Sequence, residues 1–308
     1  MTAPRYELEP DLVPIIAHWD ALQASGKNPY RTLYQLLGAD APAKRAIHAM
    51  RDEVIPGPGG PLTVRIYRPS DQPDLPALVA LHGGGWTQGG LDGYDINCRD
   101  WANDAGCAVV SVAYRLAPAH TFPAAAEDAY AATAWVHANA ARLGIDAARI
   151  AIQGGSAGGN LAAAAALMAR ERGGPPLVLQ LLLYPALDAD ADFPSRAYSG
   201  PGLTGAAVRR AWATYLGGHD RADPYASPLR ATSFAGLPPA LVEVGTLDPF
   251  HDESAAYVRA LTAAGVPARL RSYPGAIHGF YLMRPALASA RDGHVQAVAA
   301  LREAFRKP

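Results

Sequence analysis

Residues 150–160 read Ile-Ala-Ile-Gln-Gly-Gly-Ser-Ala-Gly-Gly-Asn, and this stretch predicts a strand that turns sharply into a helix. The strand is the apolar run Ile150–Ile152, and the helix is the alanine-rich segment Ala157–Glu171. Between them, Gly-x-Ser-x-Gly is typical of a strained turn that exposes a serine hydroxyl, because the flanking glycines carry no side chain that would block it. A bare pentapeptide of this kind equally fits a turn that caps a helix. With a strand before it and a helix after it, Ser156 is a candidate nucleophile.

Short apolar runs alternate with helical patterns on both sides of this turn. Continuous apolar strands that alternate with helices predict an α/β fold with a parallel sheet covered on both faces. An alternating segment, Leu62–Tyr67, follows a Pro-Gly turn and predicts an antiparallel start to the sheet. The predicted strands are Leu78–Leu81, Ala108–Val112, Ile150–Ile152, Leu177–Leu183, Ala240–Val244 and Ala268–Tyr273. The predicted helices are Tyr94–Ala105, Pro123–Leu143, Ala157–Glu171, Asp252–Ala264 and Val295–Phe305.

Two further segments stand apart from this alternation. Apolar residues at spacings of three and four predict amphipathic helices between Asp11 and about Met50. The interval from Asp188 to about Pro238 is irregular and has one helical patch, Val208–Tyr215. We expect this second interval to be an insertion over the edge of the sheet.

A glycine cluster follows the predicted strand Leu78–Leu81 and reads His82-Gly83-Gly84-Gly85-Trp86. Acyl transfer develops negative charge on a carbonyl oxygen, and each preorganised backbone N–H donor that meets it is worth about 3 kcal/mol. We expect Gly83, Gly84 and Ala157 to supply those donors as an oxyanion hole. Neither glycine cluster fits the phosphate-binding patterns.

A serine nucleophile needs a base and an orienting carboxylate. His278 comes just after the last predicted strand, where a base reaches the carboxyl edge of the sheet. Asp248 follows the strand Ala240–Val244, and Pro249 favours it at the strand end. Asp252 is its rival, but it begins the next helix and can cap that helix instead. The chain order Ser156, Asp248, His278 is the one found in α/β hydrolases.

Composition excludes several classes of protein. The 308 residues carry 27 basic and 28 acidic side chains, so a net charge of -1 gives no electrostatic footprint for nucleic acid or anionic lipid. Length alone suggests about two domains. The apolar run Leu161–Ala169 is too short to span a membrane, and charged residues within Met1–Asp11 do not fit a secretory signal. We therefore expect a cytoplasmic protein, with Cys98 and Cys107 as ordinary buried thiols.

The combined motifs resemble the α/β-hydrolase superfamily, and within it the hormone-sensitive-lipase-like branch that includes the bacterial family IV carboxylesterases. The resemblance spans about residues 62–305. It rests on His82–Trp86, Gly154–Asn160, Asp248–Asp252 and His278–Phe280, with softer matches at Tyr114–Pro118, Phe122–Ala125, Glu127–Ala129, Tyr184–Pro185 and Ser227–Leu229. One departure lies in the turn itself, where Gly155 replaces the acidic residue or threonine usual in the family.

The resemblance implies an eight-stranded, mostly parallel sheet and a serine esterase with no metal or organic cofactor. It divides the chain into an N-terminal helical cap segment, 1–50, and a catalytic domain, 51–308, with a cap insertion at about 188–225. Ser156, Asp248 and His278 would form the catalytic triad. A homodimer is compatible with the resemblance, and the expected partner is a small-molecule ester.

We therefore predict a carboxylesterase that hydrolyses short- to medium-chain acyl esters through an acyl-enzyme. An amidase or arylformamidase would use the same triad, and a hydrolase-fold binding protein without catalysis is a further alternative. Aromatic residues of the cap and the glycine loop are candidates for lining the acyl pocket, although packing within the cap is the more usual role for such residues. They are Trp19, Tyr34, Trp86, Trp212 and Tyr215.

Overall fold

Eight strands form one β-sheet in the computed structural model, which describes residues 7–16, 44–284 and 286–306. They are β1 (Ala49–Gly57), β2 (Gly60–Arg68), β3 (Leu75–Leu81), β4 (Ala108–Val112), β5 (Ile145–Gly155), β6 (Leu179–Leu183), β7 (Ala240–Leu247) and β8 (Ala268–Ile277). Their spatial order is β1-β2-β4-β3-β5-β6-β7-β8. β2 is antiparallel to both of its neighbours, and every other pair is parallel. The predicted α/β fold is confirmed.

Helices cover both faces of the sheet. They are α1 (Leu91–Ala105), α2 (Ala124–Ala138), α3 (Ala140–Leu143), α4 (Ala157–Glu171), α5 (Gly205–Leu216), α6 (His251–Ala263) and α7 (Ala288–Ala304). Buried residues of α2, α4, α5 and α6 share one hydrophobic cluster, and those of α1 and α7 share another. No helix within the described ranges has both the length and the apolar character needed to cross a membrane.

The central strands contribute to both clusters in turn. Leu78 and Ala151 pack on one face, whereas Val79 and Ile152 pack on the other, because successive side chains of a strand point to opposite sides. A strand buried on both faces is apolar at most positions, which explains the nearly continuous apolar runs in the sequence.

The parallel core of the sheet brings several chain segments to one edge. β5 lies between β3 and β6, and β7 and β8 continue in the same direction. The segments that follow β3, β5, β7 and β8 therefore leave the sheet at its carboxyl edge. They contain the glycine loop, Ser156, Asp248 and His278, respectively.

The structure corrects the predicted limits of several elements. The helical pattern continued to about Met50, but Ala49 and Met50 belong to β1, because they pair with Arg68 and Tyr67 of β2. The boundary at residue 50 therefore falls inside a strand. The predicted helix Pro123–Leu143 is divided at Asn139 into α2 and α3. At the N-terminus, Pro10–Leu12 forms a 3-10 turn that continues as helix through residue 16, and positions 17–43 of the predicted cap segment lie outside the described residues.

One carboxyl group is buried between the sheet and α7. Glu243 of β7 is fully buried, and a Cβ atom on Gly293 would approach its Oε2 atom to 2.9 Å. Burial raises the pKa of Glu243 well above its usual range. Burial therefore favours the protonated side chain in the folded protein, whereas in the unfolded chain the carboxyl ionises in its usual range.

Glu243→Gln should stabilise the protein more at pH 8 than at pH 5. The free energy of unfolding falls by up to about 1.4 kcal/mol per pH unit as the pH rises from the unfolded pKa of about 4.3 toward the raised folded pKa. Glutamine binds no proton in either state, so the variant escapes this loss. Calorimetric melting temperatures of variant and parent at the two pH values measure it, with the exposed Glu303→Gln as a control. An equal offset at both pH values would contradict the raised pKa of the buried Glu243 side chain.

Candidate active site

Ser156 stands at the sharp junction of β5 and α4 with φ 57° and ψ -120°, a conformation rare for a residue with a side chain. Its N–H donates to the Leu183 carbonyl at 2.8 Å. Close backbone approach explains the flanking glycines: a Cβ atom on Gly154 would lie 2.0 Å from the Gly158 carbonyl oxygen, and one on Gly158 would lie 2.1 Å from the Leu81 oxygen. The turn thus holds the serine side chain out at the carboxyl edge of the sheet.

Three of the predicted side chains meet in one line of hydrogen bonds. Ser156 Oγ lies 2.9 Å from His278 Nε2, and His278 Nδ1 lies 2.8 Å from Asp248 Oδ2. Asp248 and His278 are 1% and 6% exposed. The other carboxylate oxygen, Oδ1, accepts the N–H of Phe250 at 2.8 Å, so both oxygens of Asp248 are held.

The rival carboxylate, Asp252, makes a different set of contacts. Its Oδ1 atom lies 3.0 Å from His251 Nδ1, and its Oδ2 atom accepts the N–H of Ser195 at 2.9 Å. The far nitrogen of His251 lies 2.9 Å from Ser272 Oγ, on the exposed part of β8. The structure therefore brings Asp248, and not Asp252, to the imidazole beside Ser156.

Gly83 and Ala157, two of the three predicted oxyanion donors, lie beside the serine. A Cβ atom on Gly83 would stand 3.5 Å from Ser156 Cβ and 3.0 Å from the Gly155 carbonyl oxygen, and Ala157 is the first residue of α4. Gly84 has φ 129°, which favours glycine. Within the described part of the chain, the amides of Gly83, Gly84 and Ala157 donate no hydrogen bond to the protein. They are available to a substrate oxygen.

His82, at the start of the glycine loop, stabilises the loop through contacts with its neighbours. The His82 ring stacks on Tyr114 at 4.2 Å between ring centroids, and Tyr114 donates its hydroxyl to the His82 carbonyl at 2.7 Å. His82 Nδ1 lies 2.9 Å from the Gly83 carbonyl oxygen. Burial lowers the pKa of His82 to about 4, so the ring is neutral at physiological pH. His82 and Tyr114 lie in separate sequence motifs, and neither motif predicts their contact.

Two aromatic rings position the imidazole of His278. Tyr184 and Phe250 both meet it edge to face, at centroid distances of 4.8 and 5.2 Å. Tyr184 takes φ 39°, in the left-handed region, and its N–H donates to the Glu243 carbonyl at 2.6 Å. Neither ring was predicted to contact the base, because both contacts join segments far apart in sequence.

The aromatic candidates for the acyl pocket lie in one buried cluster. Trp86 stacks on Tyr215 at 4.3 Å and meets Trp212 at 4.5 Å between centroids, and none of the three rings is more than 2% exposed. The cluster joins α5 of the insertion to the glycine loop. The two remaining candidates, Trp19 and Tyr34, lie outside the described residues.

The remaining metal-binding and nucleophilic residue types do not gather at this site. Cys98 and Cys107 are free and buried, and burial raises the pKa of the Cys98 thiol to about 12. In residues 7–16, 44–284 and 286–306, no three His, Cys, Asp or Glu side chains are grouped to hold a metal ion. The chemistry available at the carboxyl edge is that of a hydroxyl, an imidazole, a carboxylate and backbone amides.

Comparison with known proteins points in one direction. The model of the alpha/beta hydrolase fold family matches residues 78–282. The chain is 42% identical to esterase LipI of Mycobacterium tuberculosis over 258 residues, which are 82% of this chain and 81% of that protein. It is 41% identical to an ethyl acetate hydrolase of Pseudomonas putida over 254 residues, 80% of this chain and 79% of the relative.

Solved structures give the same answer for nearly the full length of the chain. An esterase from the archaeon Pyrobaculum calidifontis superposes with a TM-score of 0.89 at 40% sequence identity, covering 97% of this chain and 100% of that one. At this identity the likeness extends beyond the fold to the sequence.

Gly155→Ala should be tolerated, although the neighbouring Gly154→Ala should not. A Cβ atom on Gly155 would meet the rings of Tyr184 and Tyr94 at 3.4 to 3.6 Å, which is ordinary contact. Alanine also restricts the unfolded chain and should add about 0.4–1 kcal/mol of stability, or a rise in Tm of about 1–4 °C.

Thermal melting and steady-state kinetics on a short-chain aryl ester test the pair of variants. We expect Gly155→Ala to keep kcat within about twofold of the parent and Gly154→Ala to lose activity or fail to fold, because its Cβ atom meets backbone at 2.0 Å. If Gly154→Ala folded and kept its activity as well as Gly155→Ala does, the turn would not be as tight as described.

Proposed function

Because the chain belongs to the alpha/beta hydrolase fold family, in its hormone-sensitive-lipase-like branch, and is a carboxylic ester hydrolase, we propose that it cleaves short- to medium-chain acyl esters through an acyl-enzyme on Ser156. The observation that carries the proposal is the unbroken hydrogen-bond line from Ser156 Oγ through His278 to Asp248. A hydroxyl becomes a nucleophile at neutral pH when a base stands ready to take its proton.

The reaction proceeds in two halves. In the first, Ser156 Oγ bonds to the ester carbonyl carbon while His278 Nε2 takes the hydroxyl proton, and the resulting imidazolium returns that proton to the departing alcohol. In the second, His278 takes a proton from water, the hydroxide attacks the acyl group, and the acid leaves as Ser156 regains its proton. Asp248 keeps the imidazole in the required tautomer and stabilises its charged form.

Backbone amides supply the electrostatic part of catalysis. The carbonyl oxygen becomes negatively charged in both tetrahedral intermediates, and the amides of Gly83, Gly84 and Ala157 are the donors that face it in this proposal. Loss of a single donor of this kind typically costs about 10²–10³ in kcat. Stacking of His82 on Tyr114 holds the loop that carries two of the three.

Packing around the site favours small acyl groups. Trp86, Trp212 and Tyr215 fill the space between the insertion and the glycine loop with their own rings, so they offer little open surface to a long chain. The ethyl acetate hydrolase of Pseudomonas putida, whose name denotes a short ester, is one of the relatives. An uncharged ester also needs no electrostatic steering from a chain of net charge -1.

Ser156→Ala should lower kcat on p-nitrophenyl butyrate by about 10⁴–10⁶, because removing the nucleophile ends covalent catalysis. Ser272→Ala is the matched control, since Ser272 also lies 2.9 Å from a histidine nitrogen but stands away from the glycine loop. We expect a fluorophosphonate probe to label the parent and Ser272→Ala once each and to leave Ser156→Ala unlabelled. Retained turnover or labelling in Ser156→Ala would refute the assignment.

A series of p-nitrophenyl esters from acetyl to palmitoyl measures the chain-length preference. We expect kcat/KM to be highest between acetyl and hexanoyl and to fall with longer chains, because the buried aromatic cluster limits the acyl site. An optimum at dodecanoyl or beyond would contradict that limit.

Formanilide and phenyl formate, assayed side by side, separate ester from amide hydrolysis, and faster turnover of the anilide would overturn the esterase proposal.

A further inference from the structure

Arg196 is a buried cation inside the insertion that follows β6. It lies on the 3-10 turn Pro194–Ala197 and is 8% exposed. Its Nη2 atom donates to the Glu253 carboxylate and, at 2.7 Å, to the Asp188 carbonyl, and its guanidinium carbon lies 5.1 Å from the centre of the Phe250 ring. One side chain thus joins the insertion to two residues of the segment that follows Asp248.

Other residues of the insertion and its start also form hydrogen bonds with residues 249–253, the segment that follows Asp248. Ser195 accepts the N–H of Asp252 at 3.3 Å and donates its hydroxyl to the Pro249 carbonyl at 3.1 Å, while its own N–H donates to the Asp252 carboxylate. Glu253, which is fully buried, also accepts the N–H of Leu187 at 2.8 Å. Residues 249–253 are therefore held along their length by the insertion, and not only by β7 and α6.

Phe250 connects these contacts of the insertion to the proposed triad. Its ring faces the guanidinium of Arg196 and also meets the His278 ring at 5.2 Å. Its backbone N–H donates to Asp248 Oδ1 at 2.8 Å. Any movement of Phe250 therefore changes both the orientation of the carboxylate and the support of the imidazole.

Stability alone does not explain a charged pair in this position. Burial raises the pKa of the Glu253 carboxyl even though Arg196 lies beside it, so desolvation outweighs the attraction between the two groups. The buried Nε–H of Arg196 has no acceptor among the described residues. Replacing such a pair by apolar residues of similar volume is often neutral or stabilising. A guanidinium, however, fixes direction, because its planar donors suit one arrangement of carboxylate, carbonyl and ring.

We propose that Arg196 is a positioning residue for the hydrolytic reaction: through Phe250 it holds Asp248 in the orientation that serves His278. This rests on the proposed function, because it requires Asp248 to be the triad acid. The insertion then has two tasks, to cover the site and to hold the carboxylate on which the base depends.

A double-mutant cycle between Arg196→Met and Asp248→Asn tests this route. If Arg196 acts through Asp248, Arg196→Met should lower kcat about tenfold with KM within about twofold in the parent, and by less than about twofold once Asp248→Asn has removed the carboxylate. Asp248→Asn alone should lower kcat by about 10⁴. All assays are run at least 15 °C below the lowest Tm of the set, so that loss of folded protein does not contribute.

Arg230→Met is the matched control, because Arg230 also anchors the insertion, through Asp188 Oδ1 at 2.7 Å, but contacts neither Phe250 nor Glu253. It should lower Tm without changing kcat. If Arg196→Met does not fold, the neutral pair Arg196→Met/Glu253→Gln replaces it in the same cycle, since it leaves no unpaired buried charge.

Each outcome decides the question. An unchanged kcat in the folded Arg196 variant, or an equal loss in the Asp248→Asn background, would overturn the positioning role while leaving the proposed function intact. A high kcat in Asp248→Asn alone would refute the proposed triad itself. A tenfold loss that is confined to the parent background and absent from Arg230→Met supports the proposal.

Discussion

The left-handed backbone of Ser156 is the constraint on which the rest of the structure depends. A residue with a side chain adopts such a conformation only where its surroundings impose it, at a cost of about 1–3 kcal/mol. Here β3, β5 and the start of α4 approach so closely that Gly154 and Gly158 admit no Cβ atom. The parallel sheet supplies that closeness, and the same geometry places the first amide of α4 next to the serine side chain.

The other parts of the site come from separate strand ends and must be brought to Ser156 independently. β3 leads into the glycine loop, β7 into the carboxylate and β8 into the imidazole. Each of these segments is stabilised by a neighbouring residue. Tyr114 stacks on His82, the Phe250 N–H donates to Asp248, and the Tyr184 ring packs against His278. The segment after β7 is also supported from outside the sheet, by an arginine of the insertion.

Local patterns predicted the elements of this site better than their contacts. The strand, glycines and alanine-rich helix around Ser156 are contiguous, so one stretch of sequence contains the turn, and the ends of parallel strands must meet at one edge. The ion pair between Arg196 and Glu253 joins positions 57 residues apart, and no periodicity in the sequence predicts it. The same holds for Trp86 with Tyr215, whose burial depends on how the insertion folds back. The sequence pattern predicts helices up to about Met50, but Met50 belongs to a strand because it pairs with Tyr67, a residue that its own neighbours in sequence do not indicate.

The most direct test of the account is a crystal structure of the protein after reaction with a p-nitrophenyl alkylphosphonate, which mimics the tetrahedral intermediate. The account predicts a covalent bond from Ser156 Oγ to phosphorus, with the phosphoryl oxygen about 3 Å from the amides of Gly83, Gly84 and Ala157. His278 should remain between Ser156 and Asp248. Phosphorus bound to another residue, or a phosphoryl oxygen turned away from those amides, would contradict it.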